Sequence, residues 1–113
     1  MPKQGDLVLI PIPFTDLSSQ KRRPVIVISN DQYHSRGSDV VVVAMTSNTT
    51  VTPYSFTITS ADLIAGSLNR PGTVRVDKIY TLANSLIVKT FGRVSDATLE
   101  RIRELLNDLT DTK

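Results

Sequence analysis

Short apolar runs separated by turn residues make up most of the chain, over residues 6–12, 24–29, 39–45, 54–59, 73–82 and 86–91. Valine and isoleucine crowd these runs, and β-branched side chains suit a pleated, half-buried surface. Tyr54-Ser55-Phe56-Thr57-Ile58-Thr59 alternates strictly, which predicts a strand with one buried face and one wet face. Val40-Val41-Val42-Val43-Ala44-Met45 is apolar throughout, so this strand should be covered on both sides. Pro11 and Pro13 cannot donate ladder hydrogen bonds, which sets that part of the first strand at an edge or a bend.

One segment has a different period. Leu99, Ile102, Leu105, Leu106 and Leu109 follow helical spacing, with Glu100, Arg101, Arg103, Glu104 and Asp108 off that stripe. Ser95 is the expected N-cap, and Asp96 suits the positive end of the helix dipole. Thr98 stands where a capping-box Glu would be, so only half of that motif is present. A short helical turn is expected near 61–64. The pattern therefore predicts a mainly β fold, a small antiparallel barrel closed by a C-terminal helix, as one domain over residues 1–113.

Composition narrows the chemistry. The 113 residues contain no cysteine, so disulfides and thiolate metal sites are excluded. The apolar runs fall far short of the roughly 20 residues a membrane span needs. With no charged-then-apolar leader at the start, the expectation is a soluble cytoplasmic protein. The net charge of +2 is unevenly placed: residues 1–93 hold ten Lys/Arg against six Asp, residues 94–113 three against five Asp/Glu. A basic body suits a polyanionic partner, because each neutralised phosphate releases counterions.

Several mechanisms fail by counting. His34 is the only histidine, so a paired-histidine ribonuclease is excluded. It falls in the polar stretch 30–39, read here as a mobile, solvated loop. The only glutamates, Glu100 and Glu104, lie on the predicted helix with no histidine nearby, and the aspartates Asp6, Asp16, Asp31, Asp39, Asp62 and Asp77 are scattered. Neither catalytic zinc nor a two-metal centre is indicated. No cofactor motif is present: a glycine-rich phosphate loop and a Gly-x-Ser-x-Gly elbow are both missing.

What remains is chemistry run by arginine, hydroxyl and backbone groups. Lys21, Arg22 and Arg23 precede Pro24, which biases Arg23 towards extended backbone where loop becomes strand. Thr46-Ser47-Asn48-Thr49-Thr50 puts hydroxyls and an amide at a second strand end. An arginine and a threonine so placed can bracket one phosphate; a plain polar turn explains the same residues. Arg75 and Lys78 should fall on opposite faces of a strand, with Asp77 as a salt-bridge partner for either. Tyr33, Tyr54 and Phe14 are the aromatic candidates for stacking on bases.

Gly5-Asp6-Leu7-Val8, Lys21 to Ser29, Met45-Thr46-Ser47, Val74-Arg75-Val76-Asp77-Lys78-Ile79 and Gly92-Arg93-Val94-Ser95 together resemble, in order and spacing, the MazF/PemK family of type II toxin–antitoxin toxins. The resemblance implies an SH3-like barrel, a homodimer and a metal-independent endoribonuclease. Such an enzyme cuts single-stranded RNA at short sequences, leaving 2′,3′-cyclic phosphate and 5′-hydroxyl ends. It puts the catalytic roles on Arg23 and Thr46; Lys21, Arg22, Ser47, Asn48, Thr73 and Arg75 are the candidate substrate contacts, although an exposed basic turn explains Lys21 and Arg22 equally well. It also implies an antitoxin whose acidic, disordered tail occupies the RNA groove. The chain departs from the family pattern at Gly72-Thr73, where a serine is common, and in having no glycine in 15–21. The alternatives are a non-catalytic barrel that traps DNA gyrase, and a module that binds RNA or peptide without cutting.

Overall fold

In the computed structural model, residues 1–11 and 22–113 are described. The apolar runs become strands β1 (Asp6–Pro11), β2 (Arg22–Val27), β3 (Asp39–Thr46), β4 (Ser55–Ile58), β5 (Leu63–Gly66), β6 (Gly72–Ala83) and β7 (Lys89–Val94). Helix α1 (Asp31–Ser35) joins β2 to β3, and helix α2 (Asp96–Thr110) ends the fold. The strands form one antiparallel sheet in the order β4-β6-β3-β2-β1-β7-β5, curled into a half-barrel.

Both faces of that sheet are apolar at its centre, which is why β3 carries no polar residue between Asp39 and Thr46. Val43 and Met45 point into the larger core with Leu7, Ile26, Phe56 and Val74, under Leu99 and Ile102 of α2. Val40 and Val42 point the other way, into a second core with Val8, Val25 and Val27. Burying each such side chain stabilises the fold by about 1.5–3 kcal/mol. The N-terminus of α2 is fixed as expected: the Thr98 N–H donates to Ser95 Oγ at 3.2 Å. Farther along, the Arg101 guanidinium lies 4.7 Å from the centre of the Phe56 ring and covers the core edge.

Pro11 ends β1 where its β7 ladder has already stopped at Leu9, so it pairs only with Arg22. The missing N–H therefore costs no ladder bond on that side. Pro13 and Phe14 lie outside the described residues. In β6 the pairing jumps from Val43 with Ile79 to Ala44 with Arg75, leaving residues 76–78 as a bulge. The Val76 N–H is satisfied instead by the Tyr54 carbonyl at 3.0 Å.

Three expectations change. The turn near 61–64 is a 3₁₀ turn at Ser60–Asp62, capped reciprocally by Thr59 and Asp62, and it runs straight into β5. The last apolar run yields a 3₁₀ turn at Asn84–Leu86, and β7 starts only at Lys89. There the pairing of Gly92 and Arg93 with β1 sets the strand.

The third change concerns His34, which is no solvated loop residue. It sits on α1, is 3% exposed, and its Nε2 is 2.6 Å from Ser29 Oγ. Ser29 Oγ in turn accepts the Val41 N–H at 2.9 Å, so the pair locks α1 against β3. The Asn30 side chain caps this helix by accepting from the Tyr33 N–H at 3.0 Å.

Candidate nucleic-acid interface

The β2–β3 ladder ends at Val25 with Ala44. Two residues beyond each, on the same face of the sheet, stand Arg23 and Thr46. Thr46 is also the register partner of Thr73 on β6, and Thr73 the partner of Thr57 on β4. On the other flank Arg23 pairs with Ile10. A polar row of Thr57, Thr73 and Thr46 thus crosses β4, β6 and β3, and Arg23 stands on the same face beyond the last β2–β3 pair. In the next row, Arg75 and Val25 flank the small side chain of Ala44, which leaves Arg75 on the same face as Arg23. Arg23, Thr46, Thr73 and Arg75, chosen from the sequence, are therefore gathered on one face.

The hydroxyl of Thr46 is set up to donate. Its Oγ1 accepts the Asn48 N–H at 3.2 Å, so its own hydrogen is left for another acceptor. Asn48 Oδ1 accepts the Thr50 N–H at 3.0 Å, which fixes the turn and leaves the amide NH₂ without a partner among the described residues. Thr46 is half-buried, while Ser47, Asn48, Arg22 and Arg23 are exposed. Neither Arg22 nor Arg23 has an ion pair among the described residues. Lys21 lies outside the described residues.

Arg75 is engaged differently. Its Nε and Nη2 donate to Asp77 at 3.0 and 2.9 Å, a two-pronged pair. These hydrogen bonds raise the Arg75 pKa and hold the Asp77 carboxyl below the usual carboxylate range. Asp77 thus chooses Arg75 over Lys78 and fixes its reach towards the row. The bulge between them replaces the simple strand alternation expected of Arg75 and Lys78.

Thr73 is fully buried, and its Oγ1 has no hydrogen-bond partner among the described residues. An orphaned buried hydroxyl costs about 1–3 kcal/mol. Thr73→Val keeps the shape and removes that cost, so its thermal midpoint should rise, by an amount equivalent to about 1 kcal/mol. A lower midpoint in a melting experiment would show that the hydroxyl has a partner after all.

His34 takes no part here. Its partner Ser29 lies six residues from Arg23 along the β2 direction, about 20 Å at ~3.3 Å per residue. Among the described residues, no cluster of three His, Asp or Glu side chains could hold a metal ion. Nor is any described helix long and apolar enough to cross a membrane.

On the opposite side of the Thr46 strand end, a cleft of about 330 Å³ opens at the mouth of the larger core. Pro24, Thr46 and Ser47 line one side, and the 67–72 segment and Phe91 the other. Sequence reading missed this second wall. Its position depends on Ser60, whose Oγ accepts the Leu68 N–H at 2.8 Å and donates to the Leu68 carbonyl at 3.2 Å. Nothing local in Ser67-Leu68-Asn69-Arg70-Pro71 announces that clamp.

Residues 3–110 match the family described as PemK-like, MazF-like toxin of type II toxin–antitoxin system. The chain belongs to this family. No curated protein sequence matches it. Among solved structures it is similar to a MazE–MazF complex from Deinococcus radiodurans, at 20% identity and a TM-score of 0.76, over 99% of this chain and 97% of that one. An endoribonuclease bound to its cognate antitoxin from a mycobacterial species gives 22%, 0.73, 96% and 93% in the same order. The Mycobacterium tuberculosis toxin MazF-mt6 gives 17%, 0.75, 96% and 98%. At these identities the likeness shows the MazF fold.

Within that family, the departure at Gly72 has a local cause. A Cβ on Gly72 would stand 2.9 Å from Met45 Sδ and 3.1 Å from its Cγ. Met45 fills the space a serine side chain would take, and glycine accommodates it.

Proposed function

We propose that this MazF/PemK-family chain is a sequence-specific, metal-independent endoribonuclease of single-stranded RNA. It acts in the cytoplasm as a homodimer and is restrained by a cognate antitoxin. The observation that carries the reading is that Arg23 and Thr46, whose hydroxyl is left to donate, stand on one sheet face just beyond the end of the β2–β3 ladder. The fold likeness to an endoribonuclease bound to its antitoxin supports it.

In this mechanism the substrate's 2′-oxygen attacks the adjacent phosphorus, and the bond from phosphorus to the 5′-oxygen breaks. The 2′-hydroxyl proton leaves to solvent, and the departing 5′-oxygen takes up a proton. The products are a 2′,3′-cyclic phosphate and a 5′-hydroxyl. Arg23 stabilises the extra negative charge of the phosphorane, and Thr46 donates to a non-bridging oxygen. Arg23 carries its charge at neutral pH, so its main role is electrostatic, and any proton it lends to the leaving oxygen is restored from solvent. Arg22, Lys21, Ser47, Asn48 and Arg75 supply grip along the strand. The antitoxin's acidic, disordered tail competes for the same cationic surface, folding as it binds.

The test is a long single-stranded RNA incubated with the protein in excess EDTA, followed by end analysis. Fragments with 5′-hydroxyl and cyclic-phosphate ends are expected. Intact RNA, or fragments with 5′-phosphates, would overturn the reading.

A further inference from the structure

We infer that the cleft beside Thr46 holds one nucleobase next to the cleaved linkage, with Asn69 and Arg70 as its specificity-determining residues. The inference rests on the RNA-cutting reading and assigns a substrate subsite within it.

The lining has the chemistry of a base. Leu9, Pro24, Leu68 and Phe91 offer apolar and aromatic surface for a flat ring, while Asn69 and Arg70 stand at the opening as edge-reading and cationic groups. Among the described residues no carboxylate lines the cleft and Arg70 has no ion pair, so the charge suits a phosphate-linked ligand. A volume of about 330 Å³ sits at the small end of ligand pockets, right for a single base and too small for a folded element.

Position favours RNA over a side chain of a protein partner. Thr46 both lines this cleft and belongs to the polar row on the face that carries Arg23. The cleft opens on the other face from that row, so a phosphate held at Thr46 reaches it through its covalently attached nucleoside, which passes around the end of β3. The wall is also pre-set. The Ser60 hydroxyl grips the Leu68 backbone at both its N–H and its carbonyl, so little ordering is left for binding to impose.

The experiment compares wild type with Asn69→Ala and Arg70→Gln, both at exposed positions, on a randomised RNA pool whose cut sites are sequenced. Either substitution should relax the preference at one nucleotide flanking the cut and slow cleavage of the preferred word by on the order of tenfold, the size of one base contact. Preferences elsewhere in the word should stay. In parallel, a short RNA with a single 2′-deoxy nucleotide at the cut cannot be cleaved and reports binding alone. Leu68→Ala should weaken its binding by a similar factor.

Unchanged profiles and unchanged binding in all variants, with wild-type cutting intact, would overturn the subsite. Unchanged RNA profiles with weakened antitoxin binding would also overturn it, by giving the cleft to a protein side chain. Failure of the wild type itself to cut RNA is a separate result, and it removes the functional reading on which the subsite stands.

Discussion

Arg23→Ala should lower the RNA cleavage rate by about 10²–10³ while leaving the fold intact, because a preorganised charge donor at a developing oxyanion is worth that much. Arg23 is exposed and has no ion pair among the described residues, so its loss removes little from stability. Surface substitutions of this kind shift stability by about 0.5 kcal/mol or less. Thr46→Ala should cost a comparable factor, since it deletes the donor that Asn48 orients. Arg23→Lys should recover only part of the rate, because an ammonium keeps the charge and loses the planar fork. The double variant should fall less than the product of the two singles, as groups acting on one phosphate are not additive. Initial rates on a labelled RNA, beside thermal melts of each variant, measure both arms. Wild-type-like cutting by either single variant would reject the assignment.

Much of this geometry was legible in the residue string, because it depends on short-range rules. The unbroken apolar run of β3 demands two covers, and the two cores supply them through Val43 and Val42. Ser95 and the leucine stripe mark α2 without help from the rest of the chain. The positions of Arg23 and Thr46 were likewise readable at the ends of two strands. Their neighbourhood was not, since register between β2 and β3 is a long-range property. β5 leaves no signature in the sequence because Leu-Ile-Ala-Gly is short and lies at a sheet edge, where burial imposes no alternation. His34 looks solvated in the sequence because its neighbours are polar, and only the packing of α1 on β3 and the bond to Ser29 bury it. The cleft wall at residues 67–72 was invisible for the same reason: a serine on a preceding turn holds it.

Gly66→Ala should be the most damaging glycine substitution, costing about 3 kcal/mol of unfolding free energy. Gly66 has φ of +78°, where an L side chain costs roughly 1–2 kcal/mol from backbone sterics alone. Its Cβ would also meet the Phe91 carbonyl oxygen within overlap distance and stand 2.8 Å from Gly92 Cα. Both are β7 backbone atoms, so no side chain can rotate away. Gly37→Ala is the matched control: its Cβ meets nothing within 4 Å, and it should be neutral or stabilising by up to about 1 kcal/mol. Urea midpoints of the two variants measure the contrast, and equal midpoints would refute it. The strain can also be relieved locally, by β5 parting from β7 at the sheet edge. In that case the global midpoint falls less, and faster amide exchange appears at residues 63–68. Gly66 leads directly into the segment that Ser60 pins over the cleft, so either route moves a wall of the site. The variant should therefore lose sequence preference in RNA cutting even at temperatures where its fold survives.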